Sequence, residues 1–189
     1  MNKRTLLILI VALMPFCKGF AQRMQLSTNA LGWMCLGTMN AELNVAVAKN
    51  WSVGVSGKYN PFTYGSKAND GSDHQFQIRQ RSVAALARWW PWHIYSGWWV
   101  AGKAQWQEYN MGGIISSSTE EGQCVGGGLS AGYSHMISTH LNVEMGLGLW
   151  GGLKNYVVYA CPTCGRITGS GIKPFVMPDN LTVALSYVF

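Results

Sequence analysis

The sequence predicts an all-β protein, a closed antiparallel transmembrane β-barrel of about eight strands following an N-terminal export signal. Three observations carry this. Segment after segment shows apolar residues at every second position, the pattern of a strand with lipid on one face and an interior on the other. The last segment, with Leu181, Val183, Leu185, Tyr187 and Phe189 on one face and Asn180, Thr182, Ala184 and Ser186 on the other, ends on an aromatic. The composition is rich in Gly and aromatics and, at 12% charged residues, poor in charge for a water-soluble domain.

The first element is the export signal, residues 1–21. Lys3 and Arg4 give a positive start, Leu6 to Met14 are apolar without a break, and Gly19, Phe20 and Ala21 end on a small residue before Gln22. Cleavage is expected after Ala21, which leaves 22–189 as one domain. A run of nine apolar residues is too short for a membrane-spanning helix, which needs roughly 20, and no later stretch approaches that length. A lipoprotein reading would lipidate Cys17, but Met14, Pro15 and Phe16 are a poor approach to such a cysteine. Removing Lys3, Arg4 and Lys18 reduces the formal charge from +6 to +3, and that is no nucleic-acid footprint.

The strands follow in order. The first is expected near Met24 to Cys35. The second sets Ala41, Leu43, Val45 and Val47 opposite Asn40, Glu42 and Asn44. After a turn at Lys49 and Asn50, the third sets Trp51, Val53, Val55 and Tyr59 opposite Ser52, Ser56 and Lys58. A fourth is expected near Phe76 to Trp90. The fifth has Trp98, Val100, Ala104 and Trp106 facing out, with Lys103, Gln105 and Gln107 facing in. The sixth sets Val125, Leu129, Ala131 and Tyr133 opposite Cys124, Ser130 and Ser134, and the seventh sets Leu141, Val143, Met145, Leu147 and Leu149 opposite Asn142 and Glu144. With the closing strand these make eight.

Connections support an up-and-down order with both termini on the periplasmic side, since short links near 48–50, 91–96 and 137–139 alternate with long polar links at 63–75, 110–121 and 151–178. The link near 36–38 is the exception, being very short. Trp89, Trp90, Trp92, Tyr95, Trp98 and Trp99 crowd one turn, where amphipathic rings suit the headgroup level, and Tyr59, Phe62, Tyr64, Trp106 and Tyr109 are expected as the opposite girdle.

Residues 28–31, 60–62, 88–91, 97–109 and 126–133 and the closing strand give the chain a resemblance to small outer-membrane barrels of unknown function from Bacteroidota-type bacteria. The resemblance implies a barrel fold and an outer-membrane location, with no established catalytic or binding residues to carry over. Some such proteins are linked to fimbria and cell-surface assembly. The terminal strand, with Leu185, Tyr187 and Phe189, also resembles the insertion signal read by the barrel assembly machinery, which together with outer-membrane lipid is an expected partner.

A small barrel is filled by its own side chains, so inward charges must pair. Glu42, Lys58, Arg88, Lys103 and Glu144 are therefore expected to form an interior ion-pair network, read as a structural plug in preference to a gate or proton path. Arg79 and Arg81 have the opposite phase to Arg88. Either a bulge reconciles them, or the two sit at the outer rim facing lipid phosphates. Cys161-Pro-Thr-Cys164 is expected to form a local disulfide that pins an outer loop, because no strand-helix unit activates a thiolate and no His lies close enough for a metal site. Whether Cys35 and Cys124 pair stays open. No cofactor is expected. A lipid-modifying enzyme is the alternative, with His74 beside Asp70, Ser72 and Asp73, or Ser134 with His135, as candidate groups, but neither has a spacing that fixes a nucleophile against a base. A pore comes third, because eight strands leave almost no channel. The expected role is non-enzymatic: structural, or meeting a surface protein through the outer loops.

Overall fold

The computed structural model describes residues 24–34, 37–67, 73–112, 118–161, 165–179 and 181–189, with 66, 67 and 73–75 described by backbone alone. Ten strands and one short helix occur in the order β1 (Met24–Asn29), α1 (Ala30–Met34), β2 (Met39–Ala48), β3 (Trp51–Asn60), β4 (Thr63–Lys67), β5 (Asp73–Trp89), β6 (Gly97–Gly112), β7 (Thr119–Met136), β8 (Leu141–Tyr159), β9 (Ile167–Pro178) and β10 (Thr182–Val188). All pairings are antiparallel. Eight strands close a ring in the order β10-β1-β2-β3-β5-β6-β7-β8, with β8 pairing back to β10. Closure leaves no unpaired edge within the ring, so its backbone groups satisfy one another.

The two remaining strands continue ring positions. Asn60 lies opposite Gln80 and Thr63 opposite Gln77, so β4 keeps the register of β3 on β5 past residues 61–62. Likewise β9 runs into β10 along β8, but Pro178 faces Leu149 and Thr182 faces Gly146, four steps against three. That one-residue excess is a β-bulge, and it reverses which face each parity occupies. Hence odd-numbered Phe175 points inward against Trp150, whereas even-numbered Ala184, Ser186 and Val188 are the buried set in β10.

Above the ring, β4 to β9 rise as a six-stranded extension, tall on the β5 to β8 side and absent over β1 and β2. The long links expected at 63–75, 110–121 and 151–178 are thus mostly strand. Their period-2 signal is weak because both faces carry Gly and polar residues, as in Asn155 outward and Lys154 inward. The first strand is also shorter than expected, since the chain leaves the sheet after Asn29 and forms α1, whose start is held by Asn29 Oδ1 accepting from Leu31 N at 3.1 Å.

Packing across the ring is asymmetric. Large side chains from β5 and β6 lie over small ones from β7 and β8. Trp99 projects onto Gly132 and Gly146, where an added Cβ would come within 2.5 and 2.8 Å of its ring. At the end where 91–96 turns, Trp90, Tyr95, Trp99, Ala101 and Val188 form a buried cluster, with Trp90 and Tyr95 edge to face at 5.7 Å. Of the six aromatics expected to crowd the outside of that turn, Trp90, Tyr95 and Trp99 therefore face in, and only Trp89, Trp92 and Trp98 face out. Parity accounts for Trp90 and Trp99. Tyr95 is turned in by its left-handed backbone, φ 62°. Tyr109, expected in the opposite girdle, is likewise buried.

The outer wall is inverted relative to a water-soluble protein. Leu129, Leu147 and Leu149 are 71%, 69% and 58% exposed, whereas Gln25, Asn44, Ser52 and Glu144 are fully buried.

Candidate functional site: the polar interior

The interior is a stack of polar tiers set by alternation along each strand. In the lowest, Arg88 of β5 reaches across the ring. Its Nη1 donates to Glu144 Oε2 of β8 at 2.8 Å and its Nη2 to Glu42 Oε1 of β2. Its guanidinium also lies 4.5 Å from the Trp99 ring, a cation–π contact in a water-poor setting. Glu144 has no solvent exposure. Its other oxygen accepts from Gln25 Nε2 and, at 3.1 Å, from Ser186 Oγ, and Asn44 Nδ2 donates to Glu42 at 2.8 Å. One planar five-donor cation thus joins two carboxylates from opposite walls, for which arginine is suited and lysine is not. Beneath this tier Tyr95 closes the end. Its carbonyl accepts from Ser134 Oγ at 3.0 Å and Asn142 Nδ2 at 2.6 Å, and burial pushes its phenol well above the usual range.

In the second tier, Lys103 of β6 lies 2.6 Å from Asp179 Oδ2 and Lys58 of β3 lies 3.9 Å from Asp179 Oδ1. Lys103 also donates to Gln105 Oε1 at 2.6 Å, which begins a ladder through Gln107 to Gln80. The five charges expected in one network therefore fall into two groups: Glu42, Arg88 and Glu144 in one, and Lys58 and Lys103 in the other, joined through Asp179, an acid the sequence analysis assigned to neither a link nor a strand. Asp179 stands at the β9–β10 bulge, whose extra residue hides the inward phase from alternation.

A third tier, in the extension, was also missed. Lys154 of β8 donates to Glu120 Oε1 of β7 at 2.5 Å and Tyr109 Oη donates to the same oxygen at 2.6 Å. Burial pushes the Glu120 carboxyl up. The two hydrogen bonds and the charges of Lys154 and Lys173 outweigh this and hold it below the usual carboxylate range. The inward positions of Glu120 and Lys154 follow from the β7–β8 register, which the weak alternation there concealed.

Other candidates resolve by geometry. No register shift interrupts β5, so Arg79 and Arg81 face outward, and Arg81 is bound to Glu108 beside it. Ser134 and His135 project to opposite faces, one buried and one exposed, and cannot act on a common group. Asp70 and Ser72 lie outside the described residues, and His74 and Asp73 are described only by backbone, opposite Ser66 and Lys67. Cys124 is a buried free thiol, while Cys35 and Cys164 lie outside the described residues, so the Cys161–Cys164 bridge remains a sequence expectation. Leu185, Tyr187 and Phe189 project outward together, with Tyr187 and Phe189 edge to face at 5.2 Å.

A family model described as "Protein of unknown function (DUF3575)" matches residues 5–189, and the chain belongs to this family. A search of curated proteins found no match.

Proposed function

We propose that this member of the family is a non-enzymatic protein of a bacterial outer membrane, a closed barrel that holds the extension of β4 to β9 outside the lipid as a surface for interaction. The observation that carries this reading is the outer wall. Reading across the registers, Val83, Trp106, Val125 and Leu153 form one apolar row, and the row two residues higher is Arg81, Glu108, Gln123 and Asn155. Below that boundary the outward positions of β8 are Leu141, Val143, Met145, Leu147, Leu149, Gly151 and Leu153, twelve residue steps that cover about 40 Å along the strand. Tilted by the roughly 40° common to such barrels, that length spans the apolar height of an outer membrane. Trp51, Trp89, Trp98, Tyr133 and Tyr187 gather near the lower edge of the wall, as interfacial aromatics do.

The interior argues against free passage of solutes, since two tiers of paired side chains cross the ring, Arg88 with Glu42 and Glu144, and Asp179 with Lys58 and Lys103. Export by a cleaved leader, and a supporting role in assembling surface structures, rest on the sequence alone. The test is fractionation of native cells followed by electrophoresis with and without boiling. The protein should partition with outer membranes, resist extraction by high salt and carbonate, and migrate faster unboiled than boiled. Release by salt, or a single mobility, would overturn the reading. In planar bilayers it should give no steady conductance.

A further inference from the structure

The outward side of the wall carries a feature that alternation alone does not require. At the polar row, a recess of about 690 Å³ is bordered by Tyr59, Arg79, Arg81, Asn110, Gln123 and Asn155. Its charges are unequally satisfied. Arg81 is held by Glu108, and Glu121 accepts from Asn110 Nδ2 at 3.1 Å and Tyr159 Oη at 2.7 Å. Arg79 is exposed and has no ion-pair partner among the described residues. One cation is thus presented in the row Arg79, Asn110, Glu121 and Val157, just above the level where the outward face turns from polar to apolar.

Immediately below, Arg81 lies 5.6 Å from the Trp106 ring, and beneath that ring the wall hollows again. The registers align Ala85, Ala104, Gly127 and Gly151 in one row, and a second recess of about 770 Å³, bordered by Gly102, Gly127, Leu129, Leu149 and Val176, opens there. From Arg79 to Ala85 is six residues, about 20 Å along the strand. A recess holding one arginine without an ion-pair partner, an indole and an apolar furrow therefore follow one another down one wall. This is the order of phosphate, linkage and acyl chain in a phosphorylated lipid.

We propose that this wall binds one phosphorylated lipid of the outer leaflet, its phosphate on Arg79 and one acyl chain in the furrow over Gly127. Arg81, braced by Glu108 and Trp106, is a positioning residue that keeps the recess open. The proposal rests on the membrane reading above. Arg79 selects an anionic occupant, because a neutral chain would leave it without a counter-charge, whereas Glu121 already has both oxygens engaged by Asn110 and Tyr159.

The test uses the full-length protein in nanodiscs of phosphatidylcholine doped with bis-phosphorylated lipid A, or with the same lipid stripped of phosphate, and counts retained lipid by native mass spectrometry. Wild type should retain the phosphorylated form at least about fivefold over the stripped form, the effect of one basic residue near an anionic surface. Arg79→Glu should abolish the preference and Arg79→Lys keep it. Gly127→Trp, which fills the furrow from the lipid side, should lower retention of both forms. Equal retention of the two lipids by wild type, or an unchanged preference in Arg79→Glu, would overturn the site. Heat-modifiable mobility is recorded for every sample, so a protein that never inserts overturns the membrane reading, whereas one that inserts without preference overturns only the lipid site.

Discussion

Arg88 is the residue on which the lower tier depends. Its side chain is 6% exposed and Glu144 is fully buried, so removing the cation leaves a carboxylate in a low-dielectric interior with only neutral donors. Arg88→Met is expected to destabilise the ring by about 3–5 kcal/mol, the range for breaking one partner out of a buried pair. The triple change Arg88→Met, Glu42→Gln, Glu144→Gln should recover most of that loss, because no uncompensated charge remains. Urea titration of the detergent-folded protein, followed by tryptophan fluorescence, measures both. A triple variant no more stable than Arg88→Met would mean that the tier acts through shape and not charge. At the third tier the pH dependence has a definite sign. The Glu120 carboxyl titrates below its unfolded value of about 4.5, so its contribution is fully present above that pH and is lost as pH falls through the lower folded value. Lys154→Met should flatten this acid limb, read as the urea midpoint between pH 6 and 3.

At the scale of elements, the fit between β6 and the β7–β8 pair is the most sensitive point. Because Trp99 lies so near the place a Cβ would take at Gly132 and Gly146, a branched side chain at either must displace the indole or part the strands. Gly146→Val is expected to cost about 1–3 kcal/mol, typical of overpacking. Combining it with Trp99→Leu should recover part of that cost, and the same urea titration on the single and double variants decides it. The β9–β10 bulge is the second such point. Deleting Asn180 would restore one continuous register and swing Asp179 off the inward phase, leaving Lys58 and Lys103 without their shared acid. Loss of the fast-migrating form on unboiled gels is the expected outcome.

For the whole molecule, the arrangement divides labour by height. The apolar outer wall and the paired interior occupy the ring. Above it, β5 to β8 continue 16 to 19 residues long, while β1, at 6 residues, stops within the ring. The resulting wall stands on one side only and ends in two open strand edges, β4 and β9. Such edges pair readily with other chains, and β9 carries Lys173 and Pro174 along its length, residues that discourage uncontrolled pairing. If the proposed orientation holds, crosslinking from β9 on intact cells is expected to capture surface material, whereas crosslinking from Leu147, on the exposed apolar belt of the ring, should capture none.

Alternation by itself determined most of the fold: the all-β class, the eight ring positions, the outward faces of β2, β3, β6, β7, β8 and β10, and the inward placement of Arg88, Glu42 and Glu144. It did so because one face of each strand is an exposed apolar wall and the other lines a polar interior, and a period of two records that difference directly. It could not find the extension, where both faces are polar and the period vanishes, nor Asp179, whose parity is reversed by one extra residue. It also could not assign partners. Which cation meets which acid depends on register between strands far apart in sequence, as with Arg88 and Glu144, 56 residues apart, and only closure of the ring sets those registers. Tyr95 turned inward for the same kind of reason: the left-handed backbone of its turn is a property of the assembled structure.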